Sequence, residues 1–262
     1  MAMSKLRRKL PLPTVLLMAG AVWCVAACSP AGQKPTDANP VVVTVEVVPA
    51  AAVPGESVTL VWRFALADGW HLYWSGRNDT GYPPRIDLAL PEGWVAGGLQ
   101  WPAPVRHVAA GDILDHIYEG ELILIQKLGA PATAVADTEV PIQAEIQWLA
   151  YKDMCVPRRT TLACAIPVRD HATTREPNIA SLAAVRVPGP LPAGTLETGW
   201  QGTTFHVGHP SARRLTFMPT ADCGPLVDLL ADGQGNRLAL RFKPKADTVG
   251  PVRGLITIER DG

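Results

Sequence analysis

The sequence has no excess of charge of either sign, because its 24 Lys and Arg residues balance its 24 Asp and Glu residues. A strongly basic surface is the usual footprint of a nucleic-acid-binding protein, so we expect no nucleic acid among the partners. Only 18% of the residues are charged and 47% are hydrophobic, a composition typical of a chain that buries a sizeable core.

Common catalytic signatures are also absent. The sequence contains no glycine-rich phosphate-binding loop, no HExxH motif and no GxSxG motif. No spacing of His, Cys or carboxylate residues is typical of a metal site, so we expect neither a cofactor nor a metal. Hydrolase and nucleotide-binding functions therefore have no support.

Proline and glycine are abundant, with 25 and 23 residues, and no long amphipathic helical pattern competes with a β-rich interpretation. Short β-branched or alternating segments recur between turn clusters. In the first part of the chain, strands are predicted over residues 41–48, 57–66, 85–90, 121–128, 140–151 and 160–168. Seven or so such strands predict an all-β fold, an immunoglobulin-like antiparallel β-sandwich.

A proline-rich run over residues 188–192 predicts a stiff boundary. After it, strands are predicted over residues 203–207, 213–217, 237–242 and 253–259. We therefore expect a sandwich over residues 41–170, a linker over 171–197 with one short helix at 179–187, and a smaller β-domain over 198–262. The second core must be thin, so this domain should lean on the first.

The amino-terminal segment has the parts of an export signal: a basic region over residues 5–9, then an apolar stretch ending in Ala26, Ala27 and Cys28. The apolar stretch is shorter than the roughly 20 residues that a membrane-spanning helix needs. Its end resembles the lipobox of bacterial lipoproteins, which implies lipidation of Cys28; the alternative is an ordinary signal peptide with a chance cysteine. We expect residues 1–27 to be a lipoprotein signal peptide and 28–40 a flexible tether. The protein would then be exported and lipid-anchored to a bacterial membrane, facing the periplasm.

Of the 5 cysteines, Cys155 has the most informative surroundings. It lies near the end of a predicted hairpin connection, close to Lys152, Arg158 and Arg159. Positive charge favours the thiolate, which is the reactive form of a cysteine. From the residues alone, Cys155 is either a nucleophile or an inert, partly buried side chain.

Four ordered motifs narrow this choice. Residues 148–157 read WLAYKDMCVP, residues 69–83 read GWHLYWSGRNDTGYP, LPEG and QWP follow within residues 90–102, and YEGE occupies residues 118–121. Together they resemble the periplasmic amino-terminal domain of DsbD-like thiol:disulfide interchange proteins, in the branch that includes the suppressor-of-copper-sensitivity protein ScsB. The resemblance covers about residues 41–259.

The resemblance implies a redox pair on neighbouring hairpin strands, with Cys155 as its second cysteine. Tyr151 stands where the family has the first cysteine. The family's pair takes electrons from a membrane-embedded partner and reduces oxidised periplasmic proteins, so the implied partners are a periplasmic or membrane thiol oxidoreductase and oxidised protein clients. Without a resolving thiol, a mixed disulfide at Cys155 would wait for an external thiol.

The supporting residues implied by the motifs are Trp148, Tyr151, Lys152 and Pro157 around Cys155, and Trp70, Tyr73 and Trp74 in an aromatic segment. In the resembling family an aromatic loop shields the site, so these side chains, together with Tyr82, would shape access to the thiol and its reactivity. The alternative is that half of these aromatic residues belong to the sandwich core.

The remaining candidates are less informative. We expect Cys164 to fill core, whereas pairing of Cys223 with Cys155 across the domain boundary is left open. His71 and Met154 beside Cys155 could form a soft copper(I) site. Asp112, Asp115 and His116 are expected to be a solvated loop.

The sequence thus favours a cell-envelope thiol:disulfide interchange partner, an accessory of protein-disulfide reductase type, that acts through Cys155 by a mixed disulfide. Two alternatives remain: a redox-inactive protein-interaction module with the same fold, and a copper-handling envelope lipoprotein.

Overall fold

A computed structural model describes residues 27–28, 33–171, 187–228, 235–244 and 250–260. Every regular element among them is a β-strand, which confirms the predicted all-β fold. No helix within these ranges is long and apolar enough to cross a membrane. The helix expected at residues 179–187 lies outside the described residues except for Val187.

The first part of the chain forms strands β1 (Ala27–Cys28), β2 (Val41–Val48), β3 (Ser57–Leu66), β4 (His71–Tyr73), β5 (Arg85–Ala89), β6 (Val95–Gln100), β7 (Val105–Ala109), β8 (Ile113–Glu119), β9 (Glu121–Gly129), β10 (Glu139–Tyr151) and β11 (Cys155–Pro167). One antiparallel sheet has the order β1-β2-β3-β9-β6. The other has the order β11-β10-β4-β8-β7, with β5 also paired to β10. The two sheets enclose the main core, as an immunoglobulin-like sandwich requires.

Alternation along the strands explains which side chains enter this core. On β3, Leu60, Trp62 and Phe64 are fully buried. From the opposite sheet, Trp148 meets Phe64 edge to face, with ring centroids 6.2 Å apart. Successive strand residues point to opposite faces of a sheet, so this contact also determines which side chains of β10 point away from the core.

The structure corrects the expectation of a solvated loop around residues 112–116. Asp112 does lie in the turn between β7 and β8, with φ at 59°. Asp115 and His116, however, belong to β8 and are buried, with 5% and 1% of their surfaces exposed. Their polarity masks the strand in the sequence, because a buried strand with polar residues loses the hydrophobic pattern that identifies it.

The second domain comprises β12 (Glu197–Gln201), β13 (Thr204–Gly208), β14 (Arg214–Pro219), β15 (Arg237–Arg241) and β16 (Gly254–Glu259). Strands β12-β13-β15 form one sheet and β14-β16 another. They share a small core in which Leu215 and Phe242 are almost completely buried. All residues of β12 are exposed, so this strand carries no hydrophobic signal in the sequence.

Strands β14 and β16 contact the sandwich core. Met218 of β14 is 1% exposed and belongs to the sandwich core, and Leu255 of β16 packs against the same core. Arg77 of the sandwich donates its backbone N–H to the carbonyl of Pro219 at 2.9 Å. Its guanidinium donates to the carbonyl of Cys223 at 2.6 Å. Packing and hydrogen bonds therefore hold the two parts together.

This contact yields a first prediction. Met218→Ala should lower the free energy of unfolding by about 2–5 kcal/mol, because it leaves a cavity in the sandwich core. It should also separate unfolding of the two domains, as measured by urea denaturation followed by tryptophan fluorescence and circular dichroism. Leu240→Ala is the matched control, because Leu240 is buried only in the small core and its loss should leave the sandwich transition in place. Unchanged cooperativity in Met218→Ala would contradict the packing role of Met218.

Candidate functional site

The candidate site lies at the tip of the β10–β11 hairpin. Tyr151 ends β10 and Cys155 begins β11, and the register places these two residues directly opposite each other. Trp148 and Ala150 enter the sandwich core, so the alternate residues Leu149 and Tyr151 point to the outer face of the sheet. Directly opposed residues share a face, and the Cys155 side chain therefore lies on the outer face beside Tyr151.

Prolines in β10 and β11 show which cross-strand pairs of the hairpin are hydrogen-bonded and which are not. Pro157 lies opposite Leu149, and Pro141 lies opposite Ala165, in a register that runs without a break. A proline has no N–H and cannot exchange two hydrogen bonds with its partner, so these are non-hydrogen-bonded pairs. The carbonyl of Pro167 agrees, because it points away from β10 and accepts the N–H of Ala52 at 2.8 Å.

Tyr151 and Cys155 form a pair of the same type, because pair types alternate and this pair is two steps from Leu149 and Pro157. In such pairs the Cα atoms are about 4.5 Å apart, and the side chains approach closely. A disulfide can bridge that separation. The backbone here therefore has the geometry for a cross-strand cysteine pair, although the chain carries a phenol at one of the two positions.

An aromatic group surrounds Tyr151 on the outer face. His71 lies opposite Tyr151 across the β10–β4 pair, with ring centroids 5.2 Å apart. The His71 ring is also 5.2 Å from that of Tyr73. Burial, reinforced by the nearby His107, lowers the pKa of His71, which keeps its imidazole neutral at neutral pH. We call His71, Tyr73 and Tyr151 the aromatic platform.

Tyr73 is the buried member of the platform, with 1% of its surface exposed. Burial is the main cause that raises the pKa of Tyr73, and the negative charges of Asp115, Cys155 and Tyr151 in their ionised forms add to it. Its phenol therefore stays protonated. Residues 75–84, which we call the covering loop, pass over this ring: a Cβ at Gly81 would lie 2.2 Å from it. Only glycine fits at such a close approach.

Asp115 holds the covering loop in place. Its carboxylate accepts the backbone N–H groups of Asp79 and Thr80 at 3.0 and 3.1 Å and the Thr80 hydroxyl at 2.6 Å. In return, Asp79 accepts the N–H of Leu114 at 2.7 Å. A buried carboxylate with several donors is a strong anchor, so the loop has a defined position over Tyr73.

His116 holds the same loop from the core side. Its Nδ1 donates to the carbonyl of Arg77 at 2.8 Å, and its backbone N–H donates to the side-chain oxygen of Asn78 at 2.8 Å. Burial lowers the pKa of His116, so the ring is neutral and its Nε2 is a buried acceptor for which the described residues supply no donor. The sequence offered no signal for these anchors beyond their polarity.

Lys152 at the hairpin tip forms an ion pair with Asp37, with Nζ and Oδ1 3.1 Å apart. The indole N–H of Trp70 donates to the same oxygen at 2.8 Å. Both hydrogen bonds lower the pKa of Asp37, and the bond from Trp70 has the larger effect. Asp37 therefore links the segment before β2 to the hairpin that carries Cys155.

The structure brings together only part of the set implied by the motifs. Tyr151, Tyr73, Lys152 and Pro157 lie on the hairpin or on the outer face with Cys155. Trp70, Trp74 and Trp148 belong to the sandwich core on the opposite face. Of the two residues suggested for copper(I), Met154 is 66% exposed at the hairpin tip and His71 is buried in the platform.

Three cysteines have side chains that the structure describes; they occupy different environments, and all are unpaired. Cys155 is exposed, and Cys164 is half-buried against the sandwich core, as expected. Cys223 is buried in the small core, where burial raises its pKa, so the disulfide with Cys155 that the sequence left open is not present. Within the described ranges, no three His, Cys, Asp or Glu side chains gather as a metal site.

The chain is similar to known proteins in its sequence and in its fold. Residues 38–166 match the family model described as thiol:disulfide interchange protein DsbD, N-terminal. The N-terminal periplasmic domain of ScsB from Proteus mirabilis superposes with a TM-score of 0.55 at 16% identity, over 91% of this chain and 89% of that chain. The reduced DsbD N-terminal domain of Neisseria meningitidis overlaps more partially, with a TM-score of 0.28 at 16% identity over 44% of this chain and 80% of that chain. No curated protein matches the chain.

The family match spans the hairpin, the aromatic platform and the covering loop. Residues 38–166 of this chain therefore form a DsbD-like N-terminal domain.

Proposed function

We propose that this protein is a thiol:disulfide interchange partner of the cell envelope that acts through Cys155 by forming a mixed disulfide. A role related to thiol:disulfide interchange follows from its DsbD-like domain. The observation that carries the specific proposal is the exposed Cys155 thiol at the hairpin position opposite Tyr151. The reaction partners would be an oxidised protein client or a thiol oxidoreductase.

The chemistry is an exchange without net oxidation. The Cys155 thiolate attacks one sulfur of a client disulfide, a new S–S bond forms to Cys155, and the other client sulfur leaves as a thiolate that takes up a proton. Tyr151 has no sulfur with which to complete a second exchange. Cys164 packs against the sandwich core and Cys223 lies in the small core, so neither is placed to attack the mixed disulfide, and release of the client in its reduced form requires a thiol from another molecule.

We further propose that the protein is exported and anchored through a lipid on Cys28. The support is the basic, apolar and small-residue pattern of residues 5–28. The Proteus mirabilis domain of similar fold is described as periplasmic. An oxidising compartment is also where protein disulfides, the substrates of this chemistry, are abundant.

Cys155→Ser should abolish capture of a disulfide-bearing protein as a mixed disulfide, because it removes the exposed nucleophile. Cys164→Ser is the matched control and should leave capture unchanged, since the Cys164 side chain packs against the core. Capture is measured on non-reducing gels and by peptide mass mapping. Equal capture by both variants would contradict the proposal, and no capture by the unmodified protein would favour a redox-inactive interaction module.

Tyr151→Cys should create a disulfide with Cys155, because the non-hydrogen-bonded pair brings the two Cα atoms to a distance that a disulfide spans. The oxidised variant should be lighter than its reduced form by two hydrogen atoms, and the reduced variant should capture clients only transiently because a resolving thiol is now present. Leu149→Cys serves as control, since its opposite residue is Pro157 and no cross-strand disulfide can form there. Two free thiols in oxidised Tyr151→Cys would show that the pair geometry is wrong.

A further inference from the structure

We infer that the free edge of β11 is a docking site for an extended, disulfide-bearing segment of an oxidised client, held by main-chain hydrogen bonds and aligned so that a client cysteine lies opposite Cys155. This inference rests on the proposed function and adds how the client is recognised. Among the described strands, β11 lies at the end of its sheet and pairs only with β10.

The prolines establish which main-chain groups face outward. Pro157 and Pro167 belong to non-hydrogen-bonded pairs, and every second residue of β11 is of the same type. The N–H and C=O groups therefore point away from β10 at Cys155, Arg159, Thr161 and Ala163. Among the described residues, no backbone hydrogen bond reaches these outward groups. At the far end of β11 the outward carbonyl of Pro167 is already used by Ala52. The open part of the edge is therefore the half that begins at Cys155.

Two neighbouring features reduce the number of main-chain groups that this edge offers, but they do not block it. The carbonyl of Pro157 accepts the guanidinium of Arg158 at 3.3 Å, and Pro157 itself offers no donor. The short strand β1 comes near β11 but takes its main-chain bonds from β2. An unpaired strand edge is a template for another strand, and β-strand addition is a recurrent mode of peptide recognition.

The geometry of strand addition suits the exchange reaction. An incoming antiparallel strand would form a hydrogen-bonded pair with Cys155, since the N–H and C=O of Cys155 both point outward. The Cα atoms in such a pair are about 5.5 Å apart, and the two side chains lie on the same face. That Cα separation lies within the range found in disulfides, so a client cysteine in this position lies within reach of the Cys155 thiol.

The charges of the strand select the client segment. β11 carries Arg158 and Arg159, both exposed, and no acidic residue. An extended segment with acidic residues before its cysteine would lie beside these guanidinium groups in the antiparallel alignment. The occupant is thus an acidic, extended segment that contains a cystine. Its sulfur forms a bond to that of Cys155, and the other sulfur of the cystine leaves as a thiol.

The test compares two substitutions at Arg159 in the full chain carrying Cys24→Ser and Cys28→Ser. Arg159→Pro removes an outward N–H donor and the charge, whereas Arg159→Val removes the charge only. The probe is a short acidic peptide whose single cysteine is a mixed disulfide with 5-thio-2-nitrobenzoate, and release of that thiol reports exchange at Cys155, with Cys155→Ser as blank. We expect Arg159→Pro to react about three- to tenfold more slowly than Arg159→Val, as loss of one hydrogen bond predicts.

A change of the peptide provides an independent readout on the unsubstituted edge. N-methylation of the peptide residue four positions before its cysteine, opposite Arg159, should slow exchange, because that N–H points at β11. N-methylation three positions before the cysteine should not, because that N–H points away. Equal rates for both methylated peptides, or for Arg159→Pro and Arg159→Val, would overturn edge docking.

A small aromatic disulfide, 5,5′-dithiobis(2-nitrobenzoate), distinguishes failure of this inference from failure of the proposed function. It needs no main-chain pairing, so both Arg159 variants should react with it at the same rate, and circular dichroism verifies their fold. If Cys155 reacts with this reagent while the peptide shows no dependence on the edge, only the docking inference fails. If Cys155 reacts with neither reagent, the thiol-exchange function fails as well.

Discussion

The register of the β10–β11 ladder is the constraint on which the rest of the site depends. Burial of Trp148 and Ala150 in the sandwich core leaves Leu149 and Tyr151 on the outer face. Because side chains alternate, a slip of one residue would exchange the two faces and put polar groups into the core. The core of the sandwich therefore determines where the Cys155 thiol points, even though Cys155 contributes nothing to that core.

The position of the covering loop depends on two buried polar residues. Asp115 and His116 lie on successive positions of β8 and hold the covering loop from both faces of the sheet. Each side chain is hydrogen-bonded to groups of the loop, which is the usual reason that a buried polar side chain is tolerated. The loop is thus positioned by the sheet on which it lies.

Strands with strong hydrophobic alternation were predictable from the sequence. The bounds of β2 and β3 match their predicted bounds, and those of β9 and β10 differ from them by one residue. The strands that escaped prediction are short, like β4, exposed, like β12, or interrupted by buried polar residues, like β8. Cys155 and Tyr151 were identified from a motif, whereas Asp115 was missed because its role depends on loop backbone brought to it by tertiary folding.

The hydrogen bonds of Arg77 affect how readily the covering loop can open. The backbone N–H and guanidinium of Arg77 donate to the carbonyls of Pro219 and Cys223 in the small domain, while its own carbonyl accepts a hydrogen bond from Nδ1 of His116. The loop is therefore bonded to the small domain as well as to the sandwich, and lifting it from Tyr73 requires the bonds to the small domain to break at the same time. Openings that break so many bonds together are rare and brief compared with the fraying of an ordinary surface loop, so the time for which Tyr73 is uncovered is governed by the stability of the domain contact.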